Sequence, residues 1–288
     1  MLTVLAPAKL NLTLEVLAKR PDGFHEIRSV VQAINLCDIL RFQLSHNIEF
    51  KCDHPDWVAE GSLVSRATRL LREVTGCDKG ATIEVDKRIP LLAGLGGDSS
   101  DAAAVLRGLD QLWELGLSQK EMLGLAAQLG SDASFFLYGG TALLEGRGER
   151  VTPLPPLPHM WAIIIIPDVP RLPGKTKQLY ETLNTDHYTD GQITQRLVAR
   201  LKKGEFTPSL LFNTFENVAF AHRFSKISVY RGHAIKLGAT DVRLAGSGPA
   251  LFTLIRNQKQ AEDLLLRLQQ QKMTSYLVDT LTALDYLK

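Results

Sequence analysis

Apolar and polar residues alternate near the start of the chain, as they do in strands that bury one face. Between residues 9 and 17 every even position is leucine or valine, whereas positions 9, 11, 13 and 15 are polar. Because successive side chains of a strand point to opposite faces, this run predicts a strand with a polar face. A turn sequence follows at 20–23, and residues 26–36, 39–44 and 48–52 predict three further strands.

A helical repeat of apolar residues replaces this alternation between residues 62 and 75, and Gly76 is a typical helix stop. Residues 81–85 predict a strand, and the residues after 100 show the apolar repeat of a second helix up to Trp113. Ser118 and Glu121 form the capping-box pattern of a third helix, which ends near Gly130. Residues 141–145 predict another strand.

Four prolines within residues 153–158 predict a linker, which divides the chain into domains of residues 1–155 and 156–288. The second domain opens with a buried-type strand, 161–166. Helical patterns follow at 176–183, 191–202 and 218–237, then strands at 241–245 and 251–255 around a turn, a helix at 258–271 and a strand at 275–279. Strand, helix, strand, strand, helix, strand is the order of a ferredoxin-like α+β sandwich.

The composition is that of a globular protein with a substantial core: 288 residues, 45% of them hydrophobic, with a formal net charge of +2. The basic residues are scattered, which argues against a nucleic-acid partner. Cys37, Cys52 and Cys77 are an odd number without a CxxC pair, as in cytosolic proteins with reduced thiols. No apolar run approaches the ~18 residues of a membrane span. No signal segment precedes the first strand, so we expect a cytoplasmic protein without a membrane partner.

The stretch between the strand at 81–85 and the second helix carries the strongest chemical signal. Glycines at positions 94, 96 and 97 are followed by Asp98, Ser99 and Ser100. Glycine permits φ > 0 and lets a ligand approach the amide groups, and the first turn of a helix offers unpaired N–H groups to an anion. We therefore interpret the loop as a phosphate site; the alternative is a glycine-rich turn with Ser99 or Ser100 as the N-cap. A Walker A loop is excluded because Gly-Lys-Ser/Thr is missing at its end.

Three further motifs accompany this loop: Ala6–Leu12 with Arg20–Glu26, Gly130–Phe136 with Glu145–Glu149, and Leu244–Pro249. Together with the loop, they resemble the GHMP kinases, which include galactose, homoserine, mevalonate and phosphomevalonate kinases. The pairing of Pro7–Leu12 with Asp22–Glu26 resembles in particular the branch that phosphorylates 4-diphosphocytidyl-2-C-methyl-D-erythritol. The motifs occur in the order of that branch and extend from residue 6 to about residue 250.

The resemblance implies an α+β protein with the two-domain GHMP kinase fold: an N-terminal domain like the second domain of ribosomal protein S5, and a ferredoxin-like C-terminal sandwich. It implies an ATP-dependent kinase that phosphorylates the 2-hydroxyl of this acceptor in non-mevalonate isoprenoid biosynthesis. The expected partners are therefore ATP, Mg²⁺ and the small-molecule acceptor, and a weak homodimer is the expected assembly.

The same resemblance assigns residues to sites. The catalytic pair would be Lys9 and Asp132. The acceptor would contact Asn11, Phe24, His25 and Thr176, and its cleft would be lined by Gly246, Ser247 and Gly248. ATP would bind the glycine loop, which comprises Pro90, Leu91, Leu92, Ala93, Gly94, Leu95, Gly96, Gly97, Asp98, Ser99 and Ser100.

The residue types suit these roles on chemical grounds. Phosphoryl transfer needs a cation near the transferred group and a group that orients the attacking hydroxyl, and a lysine and a carboxylate can supply both. A phenylalanine and a histidine after a turn can stack on a pyrimidine and hydrogen-bond to its edge. The alternatives are a surface lysine for Lys9, a helix cap for Asp132, and a core phenylalanine and a turn histidine for Phe24 and His25.

Magnesium is implied by the ATP chemistry, with Asp98, Ser100 and Asp101 as contributors.

Three residues depart from the usual pattern of the branch: Asp98 stands at a common glycine, Ser134 at a common proline and Phe24 at a common tyrosine. A carboxylate at position 98 would repel phosphate unless it points outward or meets magnesium.

Three other functions stay open: a kinase of another small alcohol, a ligand sensor without turnover, and a nucleic-acid-binding protein. The sensor would lack one of the catalytic pair, and both residues are present.

Overall fold

The structure is a computed structural model that describes residues 1–170, 174–220 and 225–283. It contains two compact units that interleave along the chain. The first unit comprises Met1–Ala8, Leu36–Leu91 and Gly96–Tyr138, and the second comprises Lys9–Asn35, Leu92–Leu95 and Gly139–Lys288. The predicted domains are two continuous stretches that meet after residue 155, whereas each unit combines several separate stretches. The domain boundary stays a prediction.

The alternating pattern at the start of the chain forms β1 (Leu2–Asn11), β2 (Thr13–Lys19) and β3 (His25–Ser45). The stretch 9–17, predicted as one strand, thus belongs to two strands that are separated by Leu12. The Leu12 N–H donates to the Val30 carbonyl at 2.8 Å. The two strands predicted at 26–36 and 39–44 are instead one 21-residue strand, β3. It spans both units: its residues up to Asn35 belong to the second unit, and those from Leu36 belong to the first.

The first unit combines short strands with three helices. The second half of β3 pairs antiparallel with β5 (Gly80–Asp86), and β5 pairs in parallel with β4 (Ile48–Lys51). The helices are α1 (Leu63–Thr75), α2 (Gly97–Trp113) and α3 (Gln119–Leu129), which contact one another. The predicted helix stop and capping box are confirmed: left-handed Gly76 is the C-cap of α1, and Ser118 and Glu121 form the capping box of α3. Ser62, predicted as the first residue of α1, is instead its N-cap.

In the second unit, the first half of β3 pairs antiparallel with β2 and with β6 (Thr141–Gly146). A further strand, β7 (Arg150–Pro153), pairs antiparallel with β6, so the proline-rich segment begins at the end of a strand that was not predicted. The remaining elements are β8 (Trp161–Ile165), α4 (Lys175–Thr182), α5 (Gln192–Leu201), β9 (Phe212–Asn213), α6 (Glu216–Ala219), α7 (Ser225–Lys236), β10 (Arg243–Leu244), β11 (Leu251–Ile255), α8 (Gln258–Gln270) and β12 (Ser275–Asp279).

The ferredoxin-like prediction is confirmed by the sheet β10-β11-β8-β12, in which every neighbouring pair is antiparallel. Apolar residues of its strands and of α8 share one core, which contains Ile163, Ile165, Leu251, Leu264 and Leu268. Each such side chain, when fully buried, contributes about 1.5–3 kcal/mol. The helix predicted at 218–237 is found as α6 and α7, and its residues 221–224 lie outside the described residues. Among the described residues, no helix is both long and apolar enough to cross a membrane.

Candidate active site

The polar face of β1 and β2 is buried and forms a hydrogen-bonded network. The Lys9 ammonium donates to Asn11 Oδ1 at 2.6 Å, and Asn11 Nδ2 donates to Ser29 Oγ at 2.8 Å. Ser29 Oγ in turn donates to the Thr13 carbonyl. Since both ends of the Asn11 amide are engaged, its orientation is fixed, and it holds the Lys9 ammonium in place. The interpretation of Lys9 as a surface lysine is therefore wrong.

This network continues to the first turn of α5. Thr194 Oγ1 donates to Thr13 Oγ1 at 2.9 Å, and the Thr194 N–H donates to Glu15 Oε2 at 2.7 Å. Glu15 is fully buried. A carboxylate that accepts from the first turn of a helix is stabilised by the positive end of the helix dipole. The predicted polar face is thus an internal layer that orients Lys9 and Asn11, and it does not face solvent.

A buried ion cluster in the first unit holds the two ends of the glycine loop. Lys87, just before the loop, bonds to Asp38 Oδ2 at 2.5 Å and to Asp101 Oδ2 on α2 at 2.7 Å. Asp38 Oδ1 also accepts from the backbone N–H groups of Arg88 and Ile89, at 2.5 and 2.7 Å. Burial raises the pKa of Asp101, although the Lys87 ammonium opposes the shift. The lysine contacts only Oδ2 of Asp101, and its Oδ1 has no hydrogen-bond partner among the described residues.

The loop has the conformation that its glycines predict. Gly94 and Gly96 adopt φ of +86° and +76°, and Gly96 is the N-cap of α2 without a side-chain hydrogen bond. Neither Ser99 nor Ser100 caps the helix, so the alternative interpretation as an ordinary capped turn is wrong. Ser100 Oγ is buried and has no hydrogen-bond partner among the described residues. The first turn of α2 thus keeps backbone N–H groups that no side chain caps, which suits an anion.

In the second unit, the tip of the glycine loop packs closely against the Gly246–Gly248 turn. A Cβ atom on Gly94 would lie 2.2 Å from the Ala245 carbonyl oxygen and 2.7 Å from Gly248 N. A Cβ atom on Gly246 would lie 3.2 Å from Lys9 Nζ and 3.3 Å from Asn11 Oδ1. Three stretches that are far apart in sequence, around residues 9–11, 94 and 246, therefore meet at the Lys9 ammonium. Only glycine fits at either turn without displacing the other backbone.

Asp132 follows α3 in the first unit. Helix α3 ends with Gly130 as its C-cap, so Asp132 does not cap it. A Cβ atom on Gly130 would lie 3.9 Å from Ser99 Oγ, so this segment approaches the first turn of α2. Asp132 itself is half-buried, and its carbonyl accepts from the Phe135 N–H at 3.1 Å. Since Lys9 and Asp132 belong to different units, their pairing stays a prediction.

The aromatic pair Phe24 and His25 follows the predicted turn in the second unit. Phe24 is 50% exposed, with the Arg147 guanidinium 4.7 Å from its ring centroid, so the core interpretation is wrong. The His25 ring is buried and stacks on Tyr180, with centroids 4.8 Å apart and an interplanar angle of 20°. Burial, with a contribution from Lys19, lowers the pKa of His25. The imidazole is therefore neutral at pH 7 and offers one donor and one acceptor.

The start of α4 lies beside the Gly246–Gly248 turn. Thr176 Oγ1 and Ser247 Oγ are 2.9 Å apart, which brings together two residues predicted for the acceptor site. The preceding residue, Lys175, donates to the Gly248 carbonyl and lies 3.5 Å from the Leu92 carbonyl. The sequence did not assign Lys175 to a site: Pro173-Gly174-Lys175-Thr176 is like half of a Walker A loop, but Val169 stands where its first glycine is required. Sequence reasoning also missed Arg147 and Tyr180; the spacing of Tyr180, four residues after Thr176 on one helix face, was a usable signal.

Comparison with known proteins places these motifs in one family. The family model described as GHMP kinases N terminal domain matches residues 62–140, and that described as GHMP kinases C terminal matches residues 210–273. A protein of Dehalococcoides mccartyi is 47% identical over 285 residues, which cover 99% of this chain and 100% of the relative. One of Gloeobacter violaceus is 38% identical over 264 residues, covering 89% of this chain and 86% of the relative. Both relatives bear the name 4-diphosphocytidyl-2-C-methyl-D-erythritol kinase.

Solved structures of kinases have a fold similar to that of this chain. The crystal structure of a 4-(cytidine 5'-diphospho)-2C-methyl-D-erythritol kinase matches with a TM-score of 0.82 at 33% identity, covering 97% of this chain and 99% of that one. A homoserine kinase from Cytophaga hutchinsonii matches with a TM-score of 0.65 at 20% identity, over 97% and 94% of the two chains. The second likeness concerns the fold alone.

Proposed function

The chain belongs to the GHMP kinases, in the family of 4-diphosphocytidyl-2-C-methyl-D-erythritol kinases, and we propose that its site transfers the γ-phosphoryl group of ATP to the 2-hydroxyl of that acceptor. It is an ATP-dependent kinase with the GHMP kinase fold. The observation that carries the assignment of the site is the meeting of Lys9, Gly94 and Gly246, one residue from each of three family motifs, around one buried ammonium.

The glycine loop would bind the triphosphate. Its left-handed glycines bring the backbone close to a ligand, and the uncapped first turn of α2 supplies N–H donors and a positive dipole end. The Lys9 ammonium, fixed by Asn11, would neutralise the charge of the transferred phosphoryl group. Asp132 would orient the acceptor hydroxyl and accept its proton. The prediction that Asn11 contacts the acceptor is compatible with its network, because an amide oxygen has a second lone pair.

Selection of the acceptor would depend on its cytosine. Phe24 is 50% exposed and the Arg147 guanidinium lies over one face of its ring, so the cytosine would stack on the opposite face. The neutral imidazole of His25, oriented by Tyr180, offers a donor and an acceptor that a pyrimidine edge can match. Thr176, Ser247 and the two flanking glycines would contact the remainder of the acceptor.

Magnesium would be held chiefly by the nucleotide. Among the described residues, no group of three or more His, Cys, Asp or Glu side chains could hold a metal ion. The hydroxyl of Ser100 has no hydrogen-bond partner in the described parts of the chain, and the side chain of Asp98 is 56% exposed. Both fit the oxygen ligands that Mg²⁺ takes alongside phosphates. Lys87 engages Asp101 Oδ2, whereas the buried Asp101 Oδ1 has no hydrogen-bond partner among the described residues and would be a further oxygen ligand. The ion would supply neutralisation of the phosphate charge. The Asp98 carboxylate is exposed and lies 3.9 Å from Lys87 Nζ, which limits its repulsion of phosphate.

The main competing function is phosphorylation of another small alcohol. The test is ADP formation with 4-diphosphocytidyl-2-C-methyl-D-erythritol, homoserine and mevalonate at matched concentrations. We expect kcat/KM for the cytidyl acceptor to exceed the others by about 10³-fold or more, because a site built to hydrogen-bond a group rejects ligands that lack it. Comparable rates with homoserine or mevalonate would overturn the proposal.

A weak homodimer, a cytoplasmic location and the absence of nucleic-acid partners stay predictions.

A further inference from the structure

Lys175 is a buried lysine that none of the proposed roles uses. It is the first residue of α4 and is 6% exposed. Its ammonium donates to the Gly248 carbonyl and lies 3.5 Å from the Leu92 carbonyl. Leu92 belongs to the glycine loop, and Gly248 belongs to the turn proposed to line the acceptor cleft. The side chain therefore joins the backbones of two loops that are both proposed to bind phosphorylated ligands.

The positive charge of Lys175 is not balanced within the part of the chain that the structure describes. No carboxylate there forms an ion pair with it, and its two acceptors are neutral carbonyls. The charged residues on its own helix, Lys177 and Glu181, are exposed and lie 3.9 Å from each other. Another charged group close to this turn is also a cation, Lys9, whose Nζ would lie 3.2 Å from a Cβ atom on Gly246.

The surroundings of Lys175 increase this imbalance. Helix α4 begins at Lys175 with Gly174 as an N-cap that makes no side-chain hydrogen bond, so the positive end of the helix dipole adds to the ammonium. Burial lowers the pKa of Lys175 to about 8. A buried cation without a counter-ion is costly to a protein, and such groups concentrate at functional sites. An ammonium also has three donors, and the structure gives it two acceptors.

We infer that Lys175 is a further phosphate-binding residue of this site, which fixes the loop tip against the Gly246–Gly248 turn and gives its third donor to a phosphate oxygen of the bound ligand. The inference rests on the proposed function, since it presumes that the two loops bind phosphorylated ligands. The shared chemistry is a phosphate oxyanion, which either ATP or the diphosphate of the acceptor can supply.

The two sources are distinguished by calorimetric titration of each ligand separately at pH 7. We expect Lys175→Met to weaken one of the two ligands about 10–100-fold, the usual effect of a lost hydrogen bond between charged groups. Lys175→Arg keeps the charge and should stay within about threefold of the wild type. Lys177→Met is the matched control, because this lysine is two residues away on the same helix and its side chain is 84% exposed.

The outcomes of these titrations lead to different conclusions about Lys175. Weaker ATP binding assigns Lys175 to the nucleotide phosphates, and weaker acceptor binding assigns it to the diphosphate. If Lys175→Met binds both ligands as Lys177→Met does, the inference is wrong while the proposed function stands. If the wild type binds neither ligand, the proposed function itself fails.

A measurement on the wild type covers the case in which Lys175→Met does not fold. The side-chain NMR signal of Lys175, assigned by its loss in Lys175→Arg, is titrated with and without each ligand. A bound anion favours the charged lysine, so its pKa must rise on binding, and affinity must fall as pH rises through the pKa of the free protein. A titration midpoint that neither ligand moves would overturn the inference.

Discussion

Replacement of Gly94 by alanine tests whether the glycine loop is shaped by its contact with the Gly246–Gly248 turn. Gly94 has φ of +86°, a conformation that costs a non-glycine residue ~1–2 kcal/mol. The new methyl group would also lie 2.2 Å from the Ala245 carbonyl oxygen, more than 1 Å short of ordinary contact. Because the obstacle is backbone, one of the two turns must move, and overpacking of this kind costs ~1–3 kcal/mol.

Gly204→Ala is the matched control. Gly204 has φ of +74° but no heavy atom within 4 Å of an added Cβ, so only the conformational cost applies. We expect Gly204→Ala to lower the free energy of unfolding by ~1–2 kcal/mol and Gly94→Ala by ~2–5 kcal/mol, measured by urea denaturation. Gly94→Ala should also raise the KM for ATP about tenfold or more, whereas Gly204→Ala should leave it unchanged. Equal stabilities and equal KM values in the two variants would show that the contact with the Gly246–Gly248 turn does not shape the loop.

Three further variants test the roles of single residues. Asp132→Asn keeps the shape but removes the basicity, so kcat should fall about 10²–10⁴-fold with little change in ATP affinity; a folded variant with normal kcat would contradict this role. Ser29→Ala removes the acceptor of the Asn11 amide, a loss of ~1 kcal/mol in positioning Lys9, so kcat should fall about fivefold while the KM for ATP stays constant. His25→Ala should raise the KM of the cytidyl acceptor about 5–150-fold, for a loss of ~1–3 kcal/mol, with ATP unaffected. In the wild type that KM should rise only at a pH below the ordinary histidine pKa, because burial lowers the pKa of His25; a rise centred above it would argue against a neutral imidazole.

Local signals in the sequence predicted the local structure well. The caps of α1 and α3 and the left-handed glycines of the loop follow from side-chain and backbone preferences that act within a few residues. The order of elements in the ferredoxin-like sheet follows from strand and helix patterns in turn. The motifs of the loop and of the Gly246 turn were informative for the same reason, because a close backbone approach requires glycine.

What could not be predicted depends on contacts between distant segments. Alternation at residues 9–17 predicts a polar face, but only the tertiary structure shows that Ser29 and Thr194 bury it in a network. The burial of Lys175 depends on Leu92 and Gly248, which are 83 and 73 residues away in sequence. The continuity of β3 across the two units likewise could not be predicted from the alternation of its own residues.

Phosphorylation of the 2-hydroxyl of the cytidyl acceptor is tested directly by ³¹P NMR of the product. The protein is incubated with ATP, Mg²⁺ and 4-diphosphocytidyl-2-C-methyl-D-erythritol. Carbon 2 of the acceptor carries a methyl group and no hydrogen, so a phosphate on its oxygen has no three-bond coupling to a proton. We expect one ADP for each new phosphomonoester, and a proton-coupled ³¹P signal without that splitting. A split signal, which places the phosphate on another hydroxyl, or ADP formation without a new phosphomonoester would contradict this expectation.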